Sequence, residues 1–452
     1  MFGDEWVLPA SWQIAFNTAT TPGQIGGGFA CGWVANRWGR RAALSVGILF
    51  CVAGIVGQVL SSTRIAFLMS KYVLGVGLGF YLTIAPLCTS EIAPVQLRGI
   101  ATAGVNLGIA VGQLLSNSVV AGFGSRTDRW AYRAPFAIQI AFSLFLLAGL
   151  PFAPESVWFL VKKGKNEEAR RALVKLWGKD VDVDLKLQGV QITVAEEATG
   201  EELTIKDCFR GTHRIRTIIS MGVFACQHLV GIVFVLGYSS YFFQLAGLAT
   251  EDSFYMGVGG ELLGFVHLRI FEGNMLTTSL VTGCGVLGNF ASYFAVNTLG
   301  RRKVFNGGMV ALTSMLLLIG ILDVIPTNGA RWAMSAITVI WAFVYFFSIG
   351  AMAFVILGET SAPSLRAPTA SCATAVQGVM GLIMNLAIPY MVNPDEANLK
   401  GKVGFVFGGL GAIATGWAFL YVPELKGRTF EEIDRMFQAR VPPRKMGSEV
   451  HI

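Results

Sequence analysis

The sequence has little charge. Charged residues make up 14% of its 452 positions, while 53% are hydrophobic; soluble domains carry about 25% charged residues. Apolar runs of about 20 residues recur along the whole length, and each is long enough to cross the roughly 30 Å core of a bilayer as a helix. Because only helices and closed barrels satisfy their backbone polar groups in lipid, these runs predict an all-α polytopic membrane protein.

Cysteine and histidine are also scarce, at seven and four residues. The cysteines never form a C-x-x-C pair, and no His/Cys ligand cluster occurs, which argues against a disulfide framework or a metal site. No Walker loop or DNA-binding pattern is present, and the net charge of +7 lies in loops between apolar runs. We therefore expect no enzymatic activity, cofactor, metal or nucleic-acid partner. The acidic start "MFGDEWVLP" does not resemble a cleavable signal peptide.

Eleven apolar runs are predicted to span the membrane. A polar stretch of about 60 residues separates the fifth from the sixth, and segments such as "NEEARRALVKLWG" within it are typical of short amphipathic helices. The predicted spans lie near 12–35, 42–61, 66–88, 99–122, 133–152, 217–246, 281–296, 304–325, 332–356, 369–391 and 402–422.

Basic residues predict how the spans are oriented. If the loop that holds "NRWGRR" is cytoplasmic, 26 of the 35 Lys and Arg residues fall on the cytoplasmic side. This imbalance fits the positive-inside rule. It predicts that the central loop and the C-terminus are cytoplasmic. We expect the membrane to be the plasma membrane.

Three marks recur in the same order in both halves. "NRWGRR" at 36 pairs with "NTLGRR" at 297, "SEIAPVQLRG" at 90 with "GETSAPSLRA" at 358, and "PESVWFLVKKG" at 154 with "PELKGRTFEEI" at 423, at offsets of 261 to 269 residues. Such an internal duplication is the architecture of many secondary transporters. Two spans precede the second "GRR" but only one precedes the first, so the duplication predicts six plus six spans where five plus six are visible.

The repeat divides the chain into four predicted parts. These are a first membrane bundle at 1–153 that lacks its opening helix, a cytoplasmic loop at 154–216, a second bundle at 217–422 and a cytoplasmic tail at 423–452.

Together these marks resemble the sugar porter family of the major facilitator superfamily over essentially the whole chain. The family prefers Asp where Asn36 stands. "GYSSYFFQLAG" and "PYMVNPDEANLKGKVGFVFGG" resemble the fungal maltose and α-glucoside permease branch, as does Trp158, where many sugar porters have Arg. The resemblance implies two six-helix bundles and a monomeric transporter. It also implies that this transporter moves a sugar, an α-glucoside such as maltose or a hexose, by alternating access with proton symport.

Arginines and glutamates of the repeated marks are predicted to form a latch between the halves on the cytoplasmic side. A guanidinium grips a carboxylate in a bidentate manner and stays charged. The simpler alternative is that arginines at helix ends only set topology. The candidate residues are Arg40, Arg41, Glu91, Arg98, Glu155, Arg301, Arg302, Glu359, Arg366 and Glu424.

Polar groups inside the spans are candidates for sugar binding, because amides both donate and accept hydrogen bonds and aromatic rings cover the apolar faces of a sugar. The alternative for each lone amide is a hydrogen bond between helices. By resemblance, Gln227 retains the first of two family glutamines, Asn106 stands where the family has a sugar-binding Gln, and Phe354 aligns with a common Trp. His228 replaces the second glutamine and is either a titrating group or a satisfied interface histidine. The full set is Gln227, His228, Asn106, Gln113, Tyr345, Phe354, Gln377 and Asn385.

Lys71 is a candidate coupling residue. The family usually has Arg there, paired with an Asp in its first span that takes up the coupling proton. In this chain no such span is visible, so proton symport has no evident acceptor. We therefore expect proton-coupled uptake only after an upstream helix is restored and residues 260–281 are removed.

Residues 260–281, "GELLGFVHLRIFEGNMLTTSLV", interrupt the pattern, since sugar porters join these spans by a short outer loop. The segment is either a retained intron or a real outer-loop insertion. Two other functional readings stay open beside transport: a sugar sensor of the same fold, disfavoured by the short tail after Pro423, and the non-functional product of a truncated gene.

Overall fold

A computed structural model describes residues 10–123, 130–178, 182–197, 205–236, 281–362, 364–392 and 397–447 of the chain. Within these ranges the protein consists of helices and connecting turns, without a β-strand. This confirms the predicted all-α class. The "GYSSYFFQLAG" stretch, the end of the sixth predicted span and residues 260–280 lie outside the described residues.

The first half contains six helices whose positions match the first five predicted spans. The first predicted span is formed by two consecutive helices that meet at Ala19. The helices are α1 (Ala10–Thr18), α2 (Thr20–Trp38), α3 (Arg40–Leu60), α4 (Arg64–Ile92), α5 (Val95–Phe123) and α6 (Trp130–Gly149).

The central loop is helical and has a small apolar core of its own, which includes Val157, Leu160, Leu173 and Leu187. Apolar residues on the facing sides of three short helices form this core, and α8 has the amphipathic pattern that its sequence predicts. The helices are α7 (Val157–Lys162), α8 (Asn166–Trp177) and α9 (Val183–Glu197), followed by a 3₁₀ turn at Ile205–Phe209.

The second half repeats the long helices of the first. Its fourth long helix is interrupted by a π-helical turn at Phe346–Gly350, and a short helix of the tail follows the last span. The helices are α10 (His213–Leu229), α11 (Val281–Thr298), α12 (Arg301–Val324), α13 (Asn328–Tyr345), α14 (Ala351–Thr360), α15 (Arg366–Val392), α16 (Val403–Tyr421) and α17 (Phe430–Gln438).

Nine helical segments of the described chain are long and apolar enough to cross a membrane. The protein is therefore a multi-pass membrane protein. Helices α2 and α11 also coincide with predicted spans but are not among the nine, and their 19 and 18 residues pack against neighbours in the bundle. α2 packs against α4 and against α15 of the other half, so its glycine-rich sequence is used for close helix contacts.

The halves meet along α2 and α15 and along α5 and α11. Close approach is possible because small residues face each other. The hydroxyl of Ser371 donates to the carbonyl of Gly28 at 2.7 Å, and Thr83 and Thr374 are hydrogen-bonded at 3.2 Å. Helices α3, α5, α12 and α15 all begin at the same end of the bundle with an arginine in their first turn; we call this end the charged end.

Candidate functional site

At the charged end, each half contains a buried bidentate arginine–glutamate pair. In the first half, Arg40 donates from Nε and Nη2 to both oxygens of Glu91, at 2.9 and 2.7 Å. In the second half, Arg301 donates in the same way to Glu359, at 3.1 and 2.7 Å. All four residues are buried. The duplicated sequence motifs therefore form the same contact twice, and bidentate charge-assisted hydrogen bonds of this kind are stronger and more specific than neutral ones.

A second glutamate in each half binds the backbone of the two arginines. Glu155 accepts from the amides of Arg40 and Arg41 at 2.9 and 3.1 Å. Glu424 accepts from those of Arg301 and Arg302 at 3.0 and 3.1 Å. These amides open helices α3 and α12, where N–H groups lack partners within the helix and the dipole favours a negative charge.

The glycine of each "GRR" motif allows this capping. Gly39 has a φ of +99° and Gly300 a φ of +88°, which only glycine adopts without strain. A Cβ at either position would also overlap the carboxylate of Glu155 or Glu424. The motif thus combines a backbone turn, room for a carboxylate and a guanidinium for the next glutamate.

Contacts between the halves at the charged end pass through Arg366 and Arg98. Arg366, of the second half, lies with Nη1 3.6 Å from Oε1 of Glu91. Arg98, of the first half, lies over the ring of Phe430, with 3.6 Å between its guanidinium carbon and the ring centroid. The guanidinium carbon of Arg366 lies 4.0 Å from the centroid of the same ring. The pairs with Arg40 and Arg301 lie within one half each, so the inter-half contact is carried by fewer of the predicted residues than the sequence suggests.

The tail helix α17 supplies residues that sequence reasoning missed. Phe430 packs edge-on against Trp158 of the central loop, with centroids 6.1 Å apart. Asp434 forms an ion pair with the buried Arg216 at the start of α10. The sequence does contain a signal for this helix, because "TFEEIDRMF" has an amphipathic pattern and begins with a capping box between Thr429 and Glu432.

In the middle of the bundle, Gln227 meets the π-turn of the second half. Its Nε2 lies 3.5 Å from the carbonyl oxygen of Ile349 and 3.4 Å from that of Gly350. A π-turn shifts carbonyls out of the regular helical ladder and often marks a functional site. The ring of Tyr345 and the amide of Asn106 also lie against Gly350.

Asn106 connects this position to the other half. Its Nδ2 donates to Oδ1 of Asn289 at 3.2 Å, between α5 and α11. Asn289 is fully buried and its own amide nitrogen has no hydrogen-bond partner among the described residues. Sequence reasoning missed Asn289, although an asparagine within the apolar run "GVLGNFASYF" is costly in a membrane and is a signal in itself.

The aromatic candidates and His228 lie around the same region. Tyr345 is stacked on Trp341 with centroids 5.3 Å apart, and Phe354 contacts Phe224 edge-on at 5.2 Å. His228 is buried, and its Nδ1 lies 3.1 Å from the carbonyl oxygen of Phe224 in the preceding turn. This contact satisfies one ring nitrogen within the helix, and the other nitrogen points towards Gly381 of α15.

Three candidate amides are not brought to this position. Gln113 and Asn385 are exposed, and Gln377 is partly exposed. Asn385 donates to the carbonyl of Gly381 in its own helix at 2.9 Å. Gln113 lies seven residues after Asn106 on α5, about two helical turns, but in a part of the helix that is exposed.

Lys71 is half-buried near the start of α4. Its ammonium donates to the carbonyl oxygen of Phe16 at 3.1 Å and lies 5.6 Å from the ring centroid of Phe67. Within the described ranges it forms no ion pair with a carboxylate. Its partners are thus a backbone dipole and an aromatic face.

Comparison with known proteins agrees with this architecture. The family model described as "Sugar (and other) transporter" matches residues 7–437. The chain is 29% identical to maltose permease MAL31 of Saccharomyces cerevisiae and 28% identical to the general alpha-glucoside permease of the same yeast, in both cases over 98% of this chain and 70% of the relative.

Among solved structures, the proton:xylose symporter XylE bound to 6-bromo-6-deoxy-D-glucose superposes with a TM-score of 0.79 at 21% identity, covering 94% of this chain and 89% of that one. The inward open conformation of XylE from E. coli superposes with a TM-score of 0.65. These likenesses establish a major facilitator fold. With its repeated charged motifs and the family match over nearly its whole length, the chain belongs to the sugar (and other) transporter family.

Proposed function

We propose that this protein carries an α-glucoside such as maltose, or a hexose, across the plasma membrane by alternating access coupled to protons. The substrate class is supported by the curated relatives, which are named as maltose and alpha-glucoside permeases. The excess of basic residues at the charged end supports a cytoplasmic location for this end, the central loop and the tail.

One observation carries the proposal: amides from both halves converge on Gly350. Gln227 reaches this residue from α10, and Asn106 reaches it from α5 while bonded to Asn289 of α11. A sugar is uncharged and rich in hydroxyls, so it needs groups that donate and accept together with an aromatic wall. Tyr345 and Phe354 supply aromatic surface nearby. In this proposal the amides exchange their contacts with each other and the backbone for contacts with sugar hydroxyls.

The charged end supplies the gate in this proposal. Arg40 with Glu91 and Arg301 with Glu359 hold each half rigid, and Glu155 and Glu424 fix the helix starts beside them. Arg366, Arg98 and Phe430 then connect the halves while this end is closed. Opening requires only the contacts between the halves to break, so that one bundle rocks against the other about the sugar.

Proton coupling requires a group that binds and releases a proton during transport. Lys71 and His228 are the candidate groups, and each binds a backbone carbonyl in the described structure. Lys71 already carries the proton that it donates to Phe16, so it would couple by releasing this proton when the contact is lost. With Nδ1 of His228 donating to Phe224, the ring takes up a coupling proton at its other nitrogen, Nε2. Lys71 lies where α1 meets α4, and His228 lies where α10 faces α15.

The test is uptake of radiolabelled maltose and glucose, with and without a protonophore, in yeast cells that lack their own α-glucoside permeases. The product of the native transcript is expected to accumulate maltose, and the protonophore should abolish the accumulation. Normal surface expression without uptake of either sugar would overturn the transport proposal. Uptake that persists with the protonophore contradicts proton coupling alone.

A further inference from the structure

The two halves differ at the second arginine of their "GRR" motifs. Arg302 donates to the carbonyl oxygens of Val422 and Phe419, at the end of α16, so its guanidinium is hydrogen-bonded within its own half. Arg41 has one weaker contact of this kind, from Nη2 to the carbonyl oxygen of Pro151 at 3.4 Å. The duplicated motif therefore leaves the guanidinium of Arg41 more available than its counterpart.

Arg41 borders a pocket of about 480 Å³ that lies between the start of α3, the end of α6 and the central-loop helices. Its other walls include Trp38, Leu147, Leu150, Lys165 and Glu168. The pocket is thus apolar on the side of the spans and charged on the side of the loop.

The pocket lies at the boundary of the membrane. Leu147 belongs to a membrane-crossing segment, Tyr132–Phe152, of which Phe152 is the last residue and is 75% exposed. Trp38 ends α2 with 55% of its surface exposed, and tryptophan is enriched where hydrocarbon meets water. A molecule in this pocket can place acyl chains against the exposed face of α6 and its polar part beside Arg41.

The pocket is lined by two basic residues, Arg41 and Lys165, and by two carboxylates that already have partners, Glu155 and Glu168. The carboxylate of Glu155 is already engaged by the amides of Arg40, Arg41 and Ser156. Lys165 and Glu168 form an exposed pair at 3.0 Å, and pairs of this kind are weak and exchange readily. A phosphate accepts two parallel hydrogen bonds from a guanidinium, which makes Arg41 the main candidate ligand.

We propose that this pocket binds the headgroup of an anionic membrane phospholipid, with Arg41 on the phosphate and Lys165 as a second, weaker cation. The occupant is a lipid and not a soluble phosphate, because the apolar wall of Leu147 and Leu150 continues onto the lipid-facing surface of α6. This inference is independent of the transported substrate.

The test is native mass spectrometry of the purified full chain in detergent, titrated with phosphatidylserine or with phosphatidylcholine of the same acyl chains. Arg41→Ala should weaken phosphatidylserine binding about fivefold, the effect of one basic residue near an anionic lipid surface. Lys165→Ala should weaken it less. Arg302→Ala is the matched control and should bind as the unaltered protein does. The backbone amide of Arg41 that contacts Glu155 survives the substitution, so its cap is kept.

Soluble phosphates form the second arm of the test. Glycerol 3-phosphate and inorganic phosphate at millimolar concentration should leave the phosphatidylserine adducts in place. Displacement of the lipid by glycerol 3-phosphate would overturn the lipid proposal in favour of a soluble phosphate ester. Equal lipid binding by the Arg41→Ala and Arg302→Ala variants would remove Arg41, and with it this pocket, from lipid recognition.

Discussion

Arg366 reaches across the boundary between the halves, and its Nη1 lies 3.6 Å from Oε1 of Glu91. The carboxylate of Glu91 also accepts hydrogen bonds from Arg40 of its own half. Glu91 therefore takes part both in contacts that stabilise its own bundle, with Arg40 and Ser156, and in a contact that joins the bundles. The ring of Phe430 lies beside both Arg366 and Arg98, so the tail helix takes part in the same boundary.

This contact predicts that Arg366→Gln opens the charged end. The substitution removes the cation that faces Glu91 and Phe430 but leaves the pair of Arg40 with Glu91 intact. Spin labels at the exposed positions 37 and 303 report the separation of the two halves by double electron–electron resonance. We expect a larger population at long distance than in the parent protein. Arg435→Gln removes an arginine of an exposed pair in the tail helix and should leave the distribution unchanged; equal distributions for both variants would exclude Arg366 as a latch.

Glu359 should be far more important for stability than an exposed carboxylate. Glu359→Gln leaves the buried guanidinium of Arg301 without its anion, and loss of one partner from a buried pair costs about 3–5 kcal/mol. Glu168→Gln breaks an exposed pair with Lys165, worth about 1 kcal/mol or less. Thermal unfolding in detergent measures both. Similar melting temperatures for the two variants would contradict the importance of burial.

Gly39→Ala should disturb the charged end although it adds only a methyl group. The positive φ is strained for alanine, and the Cβ would lie 2.6 Å from Oε2 of Glu155. We expect a lower melting temperature and poor surface expression. Gly307→Ala, within α12, is the control, since no atom lies within 4 Å of the added Cβ. There the helical propensity of alanine should keep or raise stability.

Gln227→Ala tests the proposed sugar site. Loss of the amide should weaken apparent affinity for the sugar about 5- to 30-fold, the equivalent of ~1–2 kcal/mol for neutral hydrogen bonds. Asn385→Ala removes an exposed amide that binds only its own helix and should leave uptake unchanged. Initial rates over a range of maltose concentrations, at matched surface expression, separate affinity from turnover. Unchanged kinetics for Gln227→Ala would remove this residue from the site.

Asp184 makes a contact in the central loop dependent on pH. The hydrogen-bonded guanidinium of Arg170 lowers the pKa of Asp184 below its ordinary value, and the same contact raises the pKa of Arg170. Since the folded pKa is lowered, the contribution is complete above the ordinary pKa of about 3.9 and is lost as pH falls through the lowered value. Amide exchange in residues 166–177, corrected for intrinsic rates, should rise in that window. Asp184→Asn should show no such step.

The sequence by itself determined the helical class, the positions of most spans and the duplication. Each depends on local signals: the length of an apolar run, the glycine that opens α3 or α12, and the charges at helix ends. The absence of an opening helix and the origin of the 260–281 segment stay predictions, because nothing in the described structure tests the first and residues 260–280 lie outside the described residues.

The tertiary structure decided which charges pair. Glu91 and Arg98 share one sequence motif, yet Glu91 binds Arg40, which lies 51 residues earlier. The reason is that α4 ends at Ile92 and the backbone is extended at Ala93. Arg98 therefore lies in the first turn of the next helix, and its side chain contacts Phe430. In the same way, Gln227 can be recognised from the sequence as a polar group in a span, but its contact with Gly350 depends on a π-helical turn that ends 123 residues later. Such partners are set by the packing of helices that are distant in sequence, and a linear pattern does not contain that information.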